Sequence, residues 1–286
     1  MCDRDHSFIV DTSLTRRTAL LALSSVAAAT SLPGAALGAS VIERDVIVKT
    51  GDGLADAALF RPPGRGAWPA VLLWPDILGL RPVFSEMGRR LAAQGYVVLV
   101  PNPFYRVRRA PIVTGPFDFN DKAAVAKLFV LKEQLTDARI DQDASAFLAF
   151  LDRQSQVDHR KGVGVQGYCF SGPFAIRTAA LRPDRVRAVA TFHGGGLVTG
   201  NPSSPHLLIP RTKAAFLVAI ARNDDQAQPD AKNILKSAFA SAKRPATVEV
   251  YHGDHGWTVA GSPAYNEAEA ERAWAELLQL YRTRLR

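Results

Sequence analysis

From residue 41 onward the sequence switches repeatedly between two apolar periods, and that alternation limits the chain to a narrow set of folds. Ala70 to Trp74, Val97 to Val100, Val163 to Gln166, Val186 to Phe192, Phe216 to Ile220 and Val248 to Tyr251 are short runs dominated by apolar residues. Runs of this length and composition read as strands buried on both faces. Phe84 to Gln94, Ala123 to Leu135, Ile140 to Arg153, Pro173 to Leu181, Ala231 to Ala242 and Glu267 to Arg284 carry apolar residues at three- and four-residue spacing instead, the helical period. Strand followed by helix, repeated, predicts a mainly parallel central sheet with helices on both faces and ligand chemistry at the carboxyl ends of the strands. Val46 to Val48 and Ala57 to Phe60 flank Gly51, Asp52 and Gly53, which predicts an N-terminal hairpin ahead of the main sheet. No long linker, repeat or low-complexity tract interrupts the pattern, so residues 40–286 read as a single α/β domain.

Residues 1–39 read differently. A polar stretch ends in Arg16 and Arg17, a mild apolar run follows from Thr18 to Thr30, and small residues from Ala35 to Ser40 come after Pro33 and Gly34. This is the order of a secretory signal, and the paired arginines resemble a twin-arginine one, although Ala19 stands where that pattern usually has a large apolar residue. Ala36 and Gly38 are small at the positions a signal peptidase groove encloses. Cleavage near residues 38 and 39 and a periplasmic location are therefore expected. Ser24, Ser25, Thr30 and Pro33 interrupt the run, which argues against a membrane anchor that stays in place.

Composition narrows the function classes. Hydrophobic residues at 47% and charged residues at 22% give enough apolar material for a core and exclude a disordered chain. The formal charge of +8 permits attraction to anionic substrates. Its residues are scattered, with only a short run at Arg106, Arg108 and Arg109, so no nucleic-acid partner is expected. Of the cysteines, Cys2 and Cys169, the first lies in the segment expected to be removed. That leaves one thiol and no disulfide framework.

That thiol stands where chemistry is expected. Gly167, Tyr168, Cys169, Phe170, Ser171 and Gly172 link a strand to a helix, and a side chain at the tip of so tight a turn needs glycine or a small residue two positions either side. Gly167 and Ser171 meet that need. The following helix directs free amides at the turn, which favours a thiolate on Cys169 and aims the Phe170 N–H at an oxyanion. A nucleophile requires a base and an orienting carboxylate, in the chain order acid then histidine. Asp224, preferred to the adjacent Asp225 with the choice left to the fold, follows one later strand, and His255 lies in the loop after the next. His252 sits closer to its strand and reads as a solvated residue. His193 ends a strand before Gly194, Gly195 and Gly196 and reads as a substrate contact.

These residues, together with Pro75, Asp76, Ile77, Leu78 and Gly79 after an early strand, resemble the dienelactone hydrolase family of α/β-hydrolases over roughly Val41 to Arg286. The resemblance implies an α/β-hydrolase fold and hydrolysis of a carboxylic ester or lactone by Cys169, His255 and Asp224, with no metal and no organic cofactor. It implies that the Ile77 N–H joins that of Phe170 in an oxyanion hole, and that Asp76 takes the place of a glutamate that contacts the cysteine. Ser171 stands where such members carry glycine. The expected partner is a small-molecule ester or lactone, with Arg81, Arg106 and His193 as candidates to hold a carboxylate on it. An exported binding protein that kept the fold and lost useful catalysis is the alternative. A redox role would lack a resolving cysteine.

Overall fold

The computed structural model describes residues 40–285, so the expected signal segment 1–39 lies outside the described residues. The elements run β1 (Ile42–Thr50), β2 (Gly53–Arg61), β3 (Ala70–Trp74), α1 (Pro82–Ala93), β4 (Val97–Pro101), α2 (Lys122–Glu133), α3 (Asp137–Asp152) and β5 (Val163–Tyr168). They continue with α4 (Gly172–Leu181), β6 (Val186–Phe192), β7 (Ala215–Ile220), α5 (Arg222–Ala227), α6 (Ala231–Ser241), β8 (Ala246–Val250) and α7 (Glu267–Arg284). The eight strands form one sheet in the order β1-β2-β4-β3-β5-β6-β7-β8. Every pair from β4 to β8 is parallel, while β1–β2 and β2–β4 are antiparallel. The expected hairpin is thus the antiparallel edge of this sheet, closed by the two residues between Thr50 and Gly53.

The strand composition explains the layering. Along β3, Ala70, Leu72 and Trp74 enter one core and Val71 and Leu73 the other, and β4 divides Val97 and Leu99 from Val98 and Val100 in the same way. A strand whose successive side chains alternate faces and are all apolar belongs only between two layers of helices. On one face Phe147, Leu148 and Leu151 of α3, Phe174 and Ile176 of α4, and Phe239 of α6 supply the cover. On the other, Phe84, Met87 and Leu91 of α1 meet Leu277 and Tyr281 of α7. Each such fully buried side chain is worth about 2 kcal/mol of transfer free energy.

The chain leaves β3 toward β4 and then returns to the other side of β3 to form β5. This reversal opens a crevice beyond the carboxyl ends of β3 and β5, the place where open α/β sheets bind ligands. The segment after β3 holds Asp76 and Ile77, and the segment after β5 holds Cys169. Beyond the periods legible in the sequence, the structure adds the short helix α5 after β7. No helix among the described residues is long and apolar enough to cross a membrane.

Candidate active site

The turn after β5 is built by what its glycines exclude. A Cβ on Gly167 would lie 2.2 Å from the Ser171 carbonyl oxygen, and one on Gly172 would lie 2.7 Å from the Gly194 Cα. Neither backbone neighbour can yield, so both positions admit only glycine. Between them Cys169 has φ +56°, the left-handed region that costs a residue with a side chain about 1–3 kcal/mol. The Ser171 hydroxyl holds the turn: its oxygen accepts from the Tyr168 N–H at 2.9 Å, and its one proton is shared between the carbonyls of Trp74 and Tyr168, each 3.0 Å away. Ser171 is fully buried, and its hydroxyl ties β5 to β3. The Phe170 ring stacks on Phe104 at 5.7 Å and meets Phe174 edge-on at 5.0 Å, fixing the residue at the start of the helical turn.

At the end of β7 the chain turns into α5, with Asp224 in its first turn. The His255 Nδ1–H donates to Asp224 Oδ2 at 2.8 Å, the tautomer set by that carboxylate. The His255 backbone N–H donates to Asn223 Oδ1 at 2.8 Å, a second tether that the sequence reading missed. Asp225 faces away and binds the Lys232 ammonium at 2.7 Å, which separates the two adjacent carboxylates. With Nδ1 committed, Nε2 is the ring nitrogen left for the Cys169 sulfur. Burial of the ring opposes its positive charge, but the hydrogen bond to Asp224 and the interaction with Cys169 outweigh it and hold His255 up at about 10. His252 is exposed, and its N–H donates to Glu269.

His193 borders the crevice beside His255 with almost none of its surface exposed. It has φ +41° and is 1% exposed, and its Nε2 pairs with Thr258 Oγ1 at 3.0 Å. Its ring meets those of His255 and Trp257 edge-on at 4.9 and 5.2 Å. Burial first, and the neighbouring His255 second, push it well below the ordinary histidine value, so it packs as a neutral ring.

The two arginines expected to hold an anion both have carboxylate partners in the fold. Arg106 does not line the crevice: its Nη1 and Nη2 donate to the two oxygens of buried Asp143 at 2.7 and 2.8 Å and its Nε to Asp52. A guanidinium so engaged is a structural tie between the β1–β2 turn and α3. Arg81 does reach the crevice, yet both its terminal nitrogens donate to Asp76, Nη2 at 2.8 Å. Asp76 in turn accepts the Leu78 N–H at 3.0 Å, so its carboxylate is spent on Arg81 and the local backbone.

Cys169, His255, His193, Asp76 and Arg81 open onto one cavity of about 620 Å³. Its far wall is Phe117 and Phe119 of the loop before α2 together with Leu128 and Phe129 of that helix. Phe117 and Phe119 lie in the Pro- and Gly-containing stretch 107–121, a segment to which the sequence reading assigned no role. Among the described residues no group of three or more His, Cys, Asp or Glu side chains is arranged to hold a metal ion.

The model of the Dienelactone hydrolase family matches residues 55–285. A carboxymethylenebutenolidase of Rhodococcus opacus is 26% identical over 220 residues, 76% of this chain and 81% of that protein. A crystal structure from Klebsiella pneumoniae, of a protein assigned to the dienelactone hydrolases, superposes with a TM-score of 0.74 at 21% identity, covering 85% of this chain and 99% of that one. A dienelactone hydrolase-like promiscuous phosphotriesterase, P91, from metagenomic libraries superposes with a TM-score of 0.70 at 22% identity, covering 86% of this chain and 100% of that one. At these identities the solved structures speak for the fold, the eight-stranded, mostly parallel sheet with helices described above.

Proposed function

The chain belongs to the dienelactone hydrolase family of α/β-hydrolases, and from that premise we propose that it hydrolyses carboxylic esters or lactones through a thioester on Cys169, with His255 and Asp224 completing the triad. The observation that carries the reading is the convergence of a strained cysteine, φ +56°, with an imidazole whose Nδ1–H is held by a carboxylate at 2.8 Å. Backbone strain is retained only where the surrounding structure enforces it, and it clusters at functional sites.

In the first half-reaction the Cys169 thiolate attacks the carbonyl carbon, and the negative oxygen is held by the amides of Ile77 and Phe170. The His255 imidazolium gives its Nε2 proton to the leaving alkoxide oxygen as the C–O bond breaks, and a thioester remains. In the second, neutral His255 takes a proton from water as that water attacks the thioester carbon. The C–S bond breaks, the acid leaves, and the thiolate–imidazolium pair is restored. Asp224 stabilises the imidazolium in both directions and fixes the tautomer. The buried, neutral ring of His193 adds no competing positive charge beside it. Asp76, joined to Arg81, serves the shape of the loop that carries the Ile77 amide.

Cys169→Ala should lower turnover of activated aryl esters by roughly 10⁴-fold or more with the fold intact. Intact-mass analysis of the wild-type protein, quenched during turnover, should find an acyl adduct that maps to Cys169 and then decays. A Cys169→Ala protein as fast as the parent would sink the proposal. Export belongs to the same reading, on the strength of the signal-like order of residues 1–39. Fractionation with N-terminal sequencing tests it: periplasmic protein beginning near residue 39 is expected, and protein confined to the cytoplasm with Met1 intact would overturn it.

A further inference from the structure

We infer that the substrates of this site are neutral esters or lactones bearing a bulky apolar group, an aryl ring or a medium-length alkyl chain, seated against the wall made by the loop before α2 and by α2 itself. The inference rests on the reading of Cys169 as the acyl acceptor and specifies what the acyl or alcohol group is.

The first observation is the chemistry of that wall. Phe117, Phe119, Leu128 and Phe129 face the cavity from one side, and Val259 and Pro263 from the loop beyond His255. A cavity of about 620 Å³ lined this way suits a ligand much larger than an acetyl or methyl group. The second is incomplete cover. Phe119 is 52% and Phe129 48% exposed although both border the cavity, and α2 buries only Leu128 along its whole length. Large apolar side chains left open around a reactive centre gain from a ligand that removes them from water.

The third observation is charge. Apart from His255 and the neutral His193, the titratable side chains that line the cavity are Cys169, the proposed nucleophile, and Asp76 and Arg81. Asp76 and Arg81 neutralise each other through a two-pronged ion pair with side chains only 12% and 17% exposed. A carboxylate on the substrate would meet no uncommitted guanidinium and would have to break that pair or stay unpaired in an apolar chamber. The overall basic excess therefore does not reach the substrate.

The test compares 4-nitrophenyl acetate, 4-nitrophenyl hexanoate and the mono-4-nitrophenyl ester of adipic acid on the wild-type protein, with Cys169→Ala subtracted. Hexanoate should exceed acetate in kcat/KM by roughly tenfold or more, since about two buried methylenes suffice for that factor. The adipate ester, nearly the same length with a terminal carboxylate, should fall roughly tenfold or more below hexanoate. Phe129→Ala should shrink the hexanoate-to-acetate ratio several-fold. Asp76→Asn, by freeing Arg81, should raise the adipate-to-hexanoate ratio about tenfold, a ratio read within one preparation and so insensitive to partial unfolding. If the three esters turn over alike through Cys169, this inference is overturned and the hydrolase reading stands. If none shows Cys169-dependent turnover with the thiol reduced, both are overturned.

Discussion

At the scale of single residues, the site is a balance between burial and pairing. His255 is drawn into a half-buried position that disfavours its charge, and the Asp224 carboxylate and Cys169 reverse that penalty, holding it at about 10 against an ordinary 6.5. The protonated ring is therefore present at neutral pH and is lost as pH rises through about 10. The alkaline limb of the pH–rate profile should therefore follow loss of the His255 proton. Asp224→Asn removes the leading stabiliser, so the alkaline limb should move toward neutrality and kcat should fall roughly 10²–10⁴-fold. Asp225→Asn, whose partner is Lys232, should leave both features in place. An alkaline limb unmoved in Asp224→Asn would refute the assignment. Legibility at this scale was uneven. The cysteine turn was readable because Gly167 and Gly172 stand at fixed offsets from Cys169, whereas the engagement of Arg81 and Arg106 depends on acids 5 and 37 residues away along the chain.

At the scale of elements, one buried polar cluster ties the antiparallel edge to the body. Arg106, between β4 and α2, donates to Asp143 of α3 and to Asp52 of the β1–β2 turn. Tyr105 donates its hydroxyl to Asp143 at 2.8 Å and lies 2.7 Å from the Thr50 hydroxyl. Asp143 is 1% exposed, and burial pushes its carboxyl up while Arg106 pulls it back. Removing one member leaves the others desolvated and unpaired, so Asp143→Ala should cost about 3–5 kcal/mol in urea unfolding monitored by tryptophan fluorescence. Loss under about 1 kcal/mol would mean that water replaces the carboxylate. The elements themselves were legible because each has its own period. The short α5 was not, since six residues, Arg222 to Ala227, bury no apolar face and carry no helical pattern to read.

At the scale of the whole molecule, the two core histidines oppose each other as functions of pH. His193 is held below its ordinary 6.5, so the stability it permits is complete above about 6.5 and is lost as pH falls, when the unfolded chain binds a proton that the folded one refuses. His255 is held above, so its contribution is complete below about 6.5 and is lost as pH rises through about 10. Stability should therefore peak near neutrality. Melting temperatures measured from pH 4.5 to 10 check this, and His193→Phe should flatten the acid slope whatever it does to the absolute value. An acid slope identical to that of the parent would refute the role of His193.

The sheet, its two helical layers and the turn that presents Cys169 are legible along the chain, because periodicity and the steric demand for glycine act over a few residues. The sequence also put Asp224 and His255 after strands whose carboxyl ends share one edge, as all such ends do in a parallel sheet. Which carboxylate meets the imidazole, which arginines are already neutralised and how apolar the cavity is emerge with the packed fold. Those outcomes depend on side chains far apart in the chain, Phe129 and Cys169 or Arg106 and Asp143, that become neighbours only when the layers close. Pairing and burial at such distances are set by packing, and no local pattern of residues encodes them.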